Sequence, residues 1–291
     1  ISIGMANLRS LREDVPLYMA ISRKDGSGLR SLVGQRADVT ELDVGYLHPP
    51  LFHAIVCNNA EAVRSLLEAK APVDQPVEGQ RTMLGGAVEV GNIEIVRLLL
   101  SRKADVQQEM SLVLAIGLQP QLVRLTPLCL SVLLLEQADL AQRKKSKLPI
   151  SDYSKVRAKV TPSGSSRDYC AILEALLEAK ANPNYVFYDA DPTPPLSIAL
   201  RFETDTMALK VTKLLLAARA NPDLGRRDDG KEPSTPLAVA ATIGAAGIAR
   251  ALVSAKASVS KVTHFNESYA PPLIIAAAAC HLDLVRIILR A

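Results

Sequence analysis

Four times in this chain a Leu that opens an apolar helical run is followed 20 residues later by an Ala in a short closing motif: Leu17 to Ala37, Leu51 to Ala71, Leu84 to Ala104, and Leu237 to Ala257. That fixed spacing constrains the fold more than any other feature. A unit this small cannot bury its apolar side alone and must stack on its neighbours, so the expectation is one continuous core, not domains counted by length. Leu196 to Ala220 repeats the pattern with four residues more. The copy opening at Thr126-Pro127-Leu128 closes at Ala181, which leaves an insertion of about 33 residues, and a last copy from Pro272-Leu273 reaches Ala291 before any closing motif. The organisation expected is a capping segment over residues 1–15, then an array over 16–291. Its units start near 16, 50, 83, 127, 195, 236 and 272, with a basic insertion at about 141–167.

The clearest unit runs from Arg81 to Gln107. Leu84, Ala87 and Val88 fall at helical spacing, Gly91-Asn92 breaks the run, and Ile93, Val96, Leu99 and Leu100 resume it, which reads as helix, tight turn, helix. Thr82-Met83-Leu84, Gly91-Asn92, Ile95 to Leu100 and Ala104-Asp105-Val106 stand where the ankyrin repeat has Thr-Pro-Leu, Gly-His, its I-V-x-L-L-L helix and its closing Gly-Ala-Asp-Val. The chain therefore resembles an ankyrin-repeat protein of about seven units. The resemblance implies an all-α solenoid of stacked helix-turn-helix units with hairpin loops, used to bind other proteins. It also implies contact residues at finger tips and exposed first-helix positions: Gln80, Arg81, Glu89, Tyr188, Asp189, Arg226, Arg227, Phe265 and Asn266. The family's His after Thr-Pro-Leu is kept in no copy, with Phe52 in its place in the second. Stability is thus expected to lean on apolar stacking more than on polar staples. In the first unit the turn is expected at Asp25-Gly26-Ser27-Gly28.

Composition agrees with small-residue helix packing, with 48% hydrophobic but only 4% aromatic residues and no Trp, a poor supply of walls for a ligand pocket. The 34 basic and 30 acidic side chains are interleaved, so the net charge of +4 points to no nucleic-acid field. Cys57, Cys129, Cys170 and Cys280 form no close pair and are expected as buried free thiols in a reducing, intracellular setting, cytoplasmic or in an organelle. The longest apolar stretch, Pro271 to Leu289, is broken by His281, Asp283 and Arg286, and no transmembrane helix is expected. Residues 1–15 show Met5, Leu8 and Leu11 at helical spacing, and Ile1 without a Met reads as a processed or partial chain.

Two segments depart from the period. Between Ala104 and Leu128 lie 24 residues, against 13 from Ala71 to Leu84. The apolar runs Met110–Ile116 and Gln121–Leu125 read as an enlarged hairpin finger or an extra half-helix, docked on the solenoid or turned to a partner. Further on, the first helix of the interrupted unit extends through Leu140 into Arg143, Lys144, Lys145 and Lys147. Eight Lys or Arg between Gln142 and Asp168 face only Asp152 there. That insertion reads as a loop with at most a short helix around Tyr153 to Val160, able to meet an acidic protein, lipid headgroups or RNA, with Ser146 a candidate phosphorylation site.

Where the family has Gly before the closing Ala, this chain has Arg36, Lys70, Lys103, Lys180, Arg219 and Lys256. One reading is helix capping, in which a cation at the helix C-terminus offsets the cost of a Cβ in a left-handed position. The other is a ladder of charge along one edge of the stack, holding an acidic partner. No catalytic grouping emerges. His53 and Cys57, four apart on a helix, lack a second pair to complete a metal site, and core packing is the simpler account. No cofactor is expected. The function expected is a non-catalytic scaffold or adaptor binding proteins through its concave face and fingers. The alternative is a constitutive subunit of a large assembly, docked by residues 107–125 and 141–167, and a third is the targeting arm of an enzyme.

Overall fold

The computed structural model describes residues 16–40, 48–116, 119–144, 156–158, 166–186, 193–202, 205–225, 234–265 and 268–291. The helix expected over residues 1–15 lies outside them. Helices come in pairs: α1 Pro16–Ser22 with α2 Gly26–Gly34, α3 Pro50–Val56 with α4 Ala60–Glu68, and α5 Met83–Val90 with α6 Ile93–Ser101. Then follow α7 Pro127–Lys144 with α8 Ser166–Glu178, α9 Pro195–Ala199 with α10 Asp205–Ala217, α11 Pro236–Ile243 with α12 Ala246–Ser254, and α13 Pro272–Ala278 with α14 Leu282–Leu289. The second helices pack one on the next without a break from α2 to α14. Between the layers runs one core, including Leu66, Leu84, Leu99, Leu134, Leu176, Leu215 and Leu252. Truncating any of these to Ala costs about 2–5 kcal/mol.

The opening motif has a local cause. Thr82, Thr126 and Thr235 sit one residue before their helices, and each side chain accepts an N–H three residues on, from Gly85 at 3.0 Å, Cys129 at 3.5 Å and Ala238 at 3.3 Å. Before α3, α9 and α13 that place is Pro49, Pro194 and Pro271, without a side-chain cap, and a second Pro pre-sets the first turn. In the first unit the turn is Arg23-Lys24-Asp25, not Asp25 to Gly28. Asp25 caps α2 by accepting from the Gly28 N–H at 2.9 Å, which draws Gly26 and Gly28 into the helix.

Strands occupy the departures from the period. β1 Met110–Ile116 and β2 Gln119–Leu125 pair antiparallel from Met110↔Leu125 to Ile116↔Gln119, so the segment is a hairpin finger and not a half-helix. Met110, Leu112, Val123 and Leu125 are buried against the solenoid, while Leu122 is 62% exposed. α7 runs 18 residues against seven in α3, the extension expected. The short helix expected around Tyr153 to Val160 is instead strand β3, Val156–Ala158, paired to β1 by Leu114↔Ala158 and Ile116↔Val156. Lys155-Val156-Arg157-Ala158-Lys159-Val160 alternates charged and apolar residues, a period-two signal that carried this strand. A last finger pairs β4 Thr263–Phe265 with β5 Ser268–Ala270.

Candidate partner-binding surfaces

Every described second helix with a closing motif ends in the same way. Arg36, Lys70, Lys103, Lys180, Arg219 and Lys256 have φ between 63° and 67°, the left-handed conformation, and all six are exposed. The following Ala N–H returns to the carbonyl five residues back, as in Ala71 to Leu66 at 3.0 Å, while the cation's own N–H reaches three back, as in Lys70 to Leu67 at 3.2 Å. This is the Schellman motif, and the closing Ala, buried in all but the first unit, where Ala37 is half-buried, is its apolar contact. First helices end likewise, with Lys24, Asn58, Gly91, Gly244 and Cys280 left-handed. A Cβ there costs about 1 kcal/mol relative to Gly, and a cation recovers about 0.3–1 kcal/mol from the helix dipole.

Beside these turns, and in addition to the apolar stacking, lies a set of polar staples. Three residues after Ala71, Ala104, Ala181 and Ala220, the side chains of Asp74, Gln107, Asn184 and Asp223 accept from the backbone N–H of Asp105, Asn182, Asn221 and Ser258 in the next unit, at 3.0, 3.2, 2.6 and 2.8 Å. Gln107 and Asn184, being amides, also donate to the Lys180 and Arg219 carbonyls at 3.1 and 3.2 Å. One residue after the closing Ala, Asp38, Asp105, Asn182 and Asn221 accept an N–H two residues on and fix the turn.

At the first junction, Ser22 Oγ lies 2.7 Å from His53 Nε2, which is 3.6 Å from Cys57 Sγ. His48 stacks on His53 with centroids 5.4 Å apart, and Tyr18 donates to the His48 carbonyl at 2.7 Å. Burial, then the neighbouring His48, lowers the His53 pKa to about 4, and burial also lowers that of His48. Among the described residues no three His, Cys, Asp or Glu side chains are placed to share a metal. The thiols are not uniformly buried: Cys129 and Cys170 are, Cys57 is half-buried, and Cys280 is exposed because it occupies a left-handed turn. Burial raises the Cys129 thiol to about 11.

The expected contact residues divide. Gln80 accepts from Ser111 Oγ at 2.7 Å, joining the finger closed by Val77 and Arg81 to β1. Arg81 and Glu89, chosen separately as exposed contacts, pair with each other, and Glu89 is 14% exposed. An open groove of about 540 Å³ lies between these fingers, lined by Gln80, Arg81, Thr82, Met110, Ser111 and Arg124. Tyr188, Asp189, Arg226, Arg227, Asn266, Lys145 and Lys147 lie outside the described residues, as do the side chains of Phe265, Arg143 and Lys144. Sequence reasoning also passed over a buried pair. Arg201 donates to Glu136 on α7 at 3.2 Å, and burial raises the Glu136 pKa although Arg201 opposes it.

Paired helices, left-handed turns and projecting hairpin fingers define an ankyrin-repeat solenoid, a class that binds protein partners. The sequence profile of ankyrin repeats in three copies matches residues 17–110. The fold is similar over 96% of this chain and 99% of the other to the ankyrin repeat domain of Bcl-3, a member of the IkappaB protein family, at 20% identity and TM-score 0.62. It is similar to the human ASB11 ankyrin repeat domain over 94% and 97%, at 18% identity and TM-score 0.55. An ankyrin repeat domain from Acinetobacter baumannii AYE matches over 84% and 98%, at 23% identity and TM-score 0.58. At such identities the likeness is one of fold. No curated protein matches the sequence. Among the described residues no helix is long and apolar enough to cross a membrane.

Proposed function

We propose that this chain is a non-catalytic scaffold or adaptor that binds protein partners through its fingers and the groove between them. The observation that carries this reading is the β1–β2 finger. Its inner face, Met110, Leu112, Val123 and Leu125, is seated on the solenoid, while Leu122 and Arg124 are exposed and Arg124 lines the groove. A hairpin whose base is packed against the stack and which presents an apolar and a cationic side chain suits recognition, because packing at the base reduces the ordering entropy lost on binding. The family's usual lack of catalysis supports the non-catalytic part, and the cytoplasm is the compartment proposed.

The test is crosslinking mass spectrometry on protein isolated gently from its native source, before and after a high-salt wash. An adaptor gives crosslinks from Lys144, Lys145 or Lys155 to several substoichiometric proteins that the wash removes. One partner in fixed proportion that survives the wash replaces this reading with that of a permanent subunit. Leu122→Lys is expected to weaken capture of the crosslinked partners without lowering the melting temperature.

A further inference from the structure

The six cations closing α2, α4, α6, α8, α10 and α12 stand at the backbone position where a side chain is least welcome, since all have φ between 63° and 67°. Gly would keep every hydrogen bond of the turn, because those bonds are made by the backbone. The chain does use Gly for this conformation at Gly91 and Gly244, ending first helices. Capping explains why a cation is tolerated at these ends. It does not explain why Gly is used at none of the six. All six side chains are exposed, and among the described residues none takes part in an ion pair.

The turns are held side by side. Gln107 donates to the Lys180 carbonyl, Asn184 to the Arg219 carbonyl, and the Arg102 guanidinium to the Leu67 carbonyl of the preceding unit. The nearby carboxylates of Asp38, Asp74, Asp105 and Asp223 are occupied by backbone N–H groups of Thr40, Asp105, Gln107 and Ser258. Glu68 and Glu178, exposed two residues before Lys70 and Lys180, are the remaining anions of these helix ends. Packed helices lie about 8–10 Å apart, and an extended polyproline-II chain advances about 3.1 Å per residue with about three residues per turn. Carboxylates at every third residue of such a segment therefore share one face and keep step with the rungs.

We propose that this row of left-handed cations is a docking strip for an extended acidic segment of a protein partner, with carboxylates spaced about three residues apart. The inference deepens the scaffold reading and rests on it. Nucleic acid fits less well. In a duplex each strand carries a phosphate about every 3.4 Å of helix axis, so most would meet no rung, and Tyr185 is the single aromatic within the five residues after any rung, where stacking of single-stranded bases needs several.

The test uses fluorescence anisotropy with three labelled probes: a repeating Glu-Gly-Ser peptide long enough to span the strip, a peptide of the same composition with its Glu contiguous, and a single-stranded oligonucleotide. The variant combines Lys70→Gly, Lys103→Gly and Lys180→Gly, which relieves the backbone while removing charge. The expected result is preferential, salt-sensitive binding of the spaced peptide. The variant should weaken it more than about tenfold, with the melting temperature equal or higher. Equal affinity of parent and variant overturns the strip and leaves capping, as does equal binding of the two peptides. Loss confined to the oligonucleotide replaces the acidic segment with nucleic acid. If the variant keeps the partners crosslinked to the native protein, the strip fails while the scaffold reading stands.

Discussion

The junction between the first two units and those joining units three to five solve one problem with different chemistry. At the first, the buried His53 imidazole contacts Tyr18, Ser22 and Cys57 and stacks on the half-buried His48, and Asn59 donates to the Ile21 carbonyl at 3.0 Å. At the central junctions, Gln107 and Asn184 each accept one backbone hydrogen bond and donate another, and neither amide titrates. A stack whose stability is a sum of units and nearest-neighbour contacts can therefore carry a titrating cluster at one end and staples that do not titrate at its centre.

Acid should separate the two regions most. His53 takes up a proton in the unfolded chain below its ordinary value of 6.5 but resists it to about 4 when folded. Between those values the unfolded state binds more protons. This contribution is thus whole above about 6.5, falls as the pH drops through the window, and stops falling below about 4. His48 shifts in the same direction. Glu136, raised by burial, has the opposite sign: its contribution is present in acid and is lost as the pH rises through its raised folded value. Hydrogen exchange should show α1 to α4 losing protection across this window while α8 to α10 keep theirs, and His53→Gln should flatten the difference. Uniform loss along the chain would remove the distinction.

Next in size is Asn184→Ala, which deletes two hydrogen bonds worth about 0.5–1.5 kcal/mol each and should split the thermal transition at units four and five. Asp74→Asn sharpens the comparison from the other side. It keeps the acceptor for the Asp105 N–H and adds a donor toward the Lys103 carbonyl, so chemical denaturation should show a gain of up to about 1 kcal/mol. Smallest is Arg30→Ala. Its ion pair with Glu61, 2.6 Å long, is exposed on both sides, and about 0.2–1 kcal/mol is expected to be lost.

The helix pairs were legible because a 3.6-residue period and a constant 20-residue spacing are properties of the string itself. The staples were not. Asn184 meets Asn221 and Arg219 only once the units are stacked, and nothing local distinguishes it from a loop residue. Arg81 and Glu89, eight apart, meet because the finger closed by Val77 and Arg81 brings the guanidinium back over α5. The imidazole cluster needs His48, just before α3, to fold onto His53 within it. β3 is a different case: its alternation was present, but three residues among many lysines read as solvated loop.

The pairing of β3 with β1 bears on how the chain reaches this state. Elsewhere connections of two to five residues join the helices of a pair, so a unit can nucleate locally within microseconds. The fourth unit must close 21 residues between Lys144 and Ser166, which raises its closure entropy by roughly 2 kcal/mol. It also aligns Val156–Ala158 with a strand some 40 residues earlier. High local contact order at one place makes that unit the slow step, so ordered structure should spread inward from both flanks and meet there last.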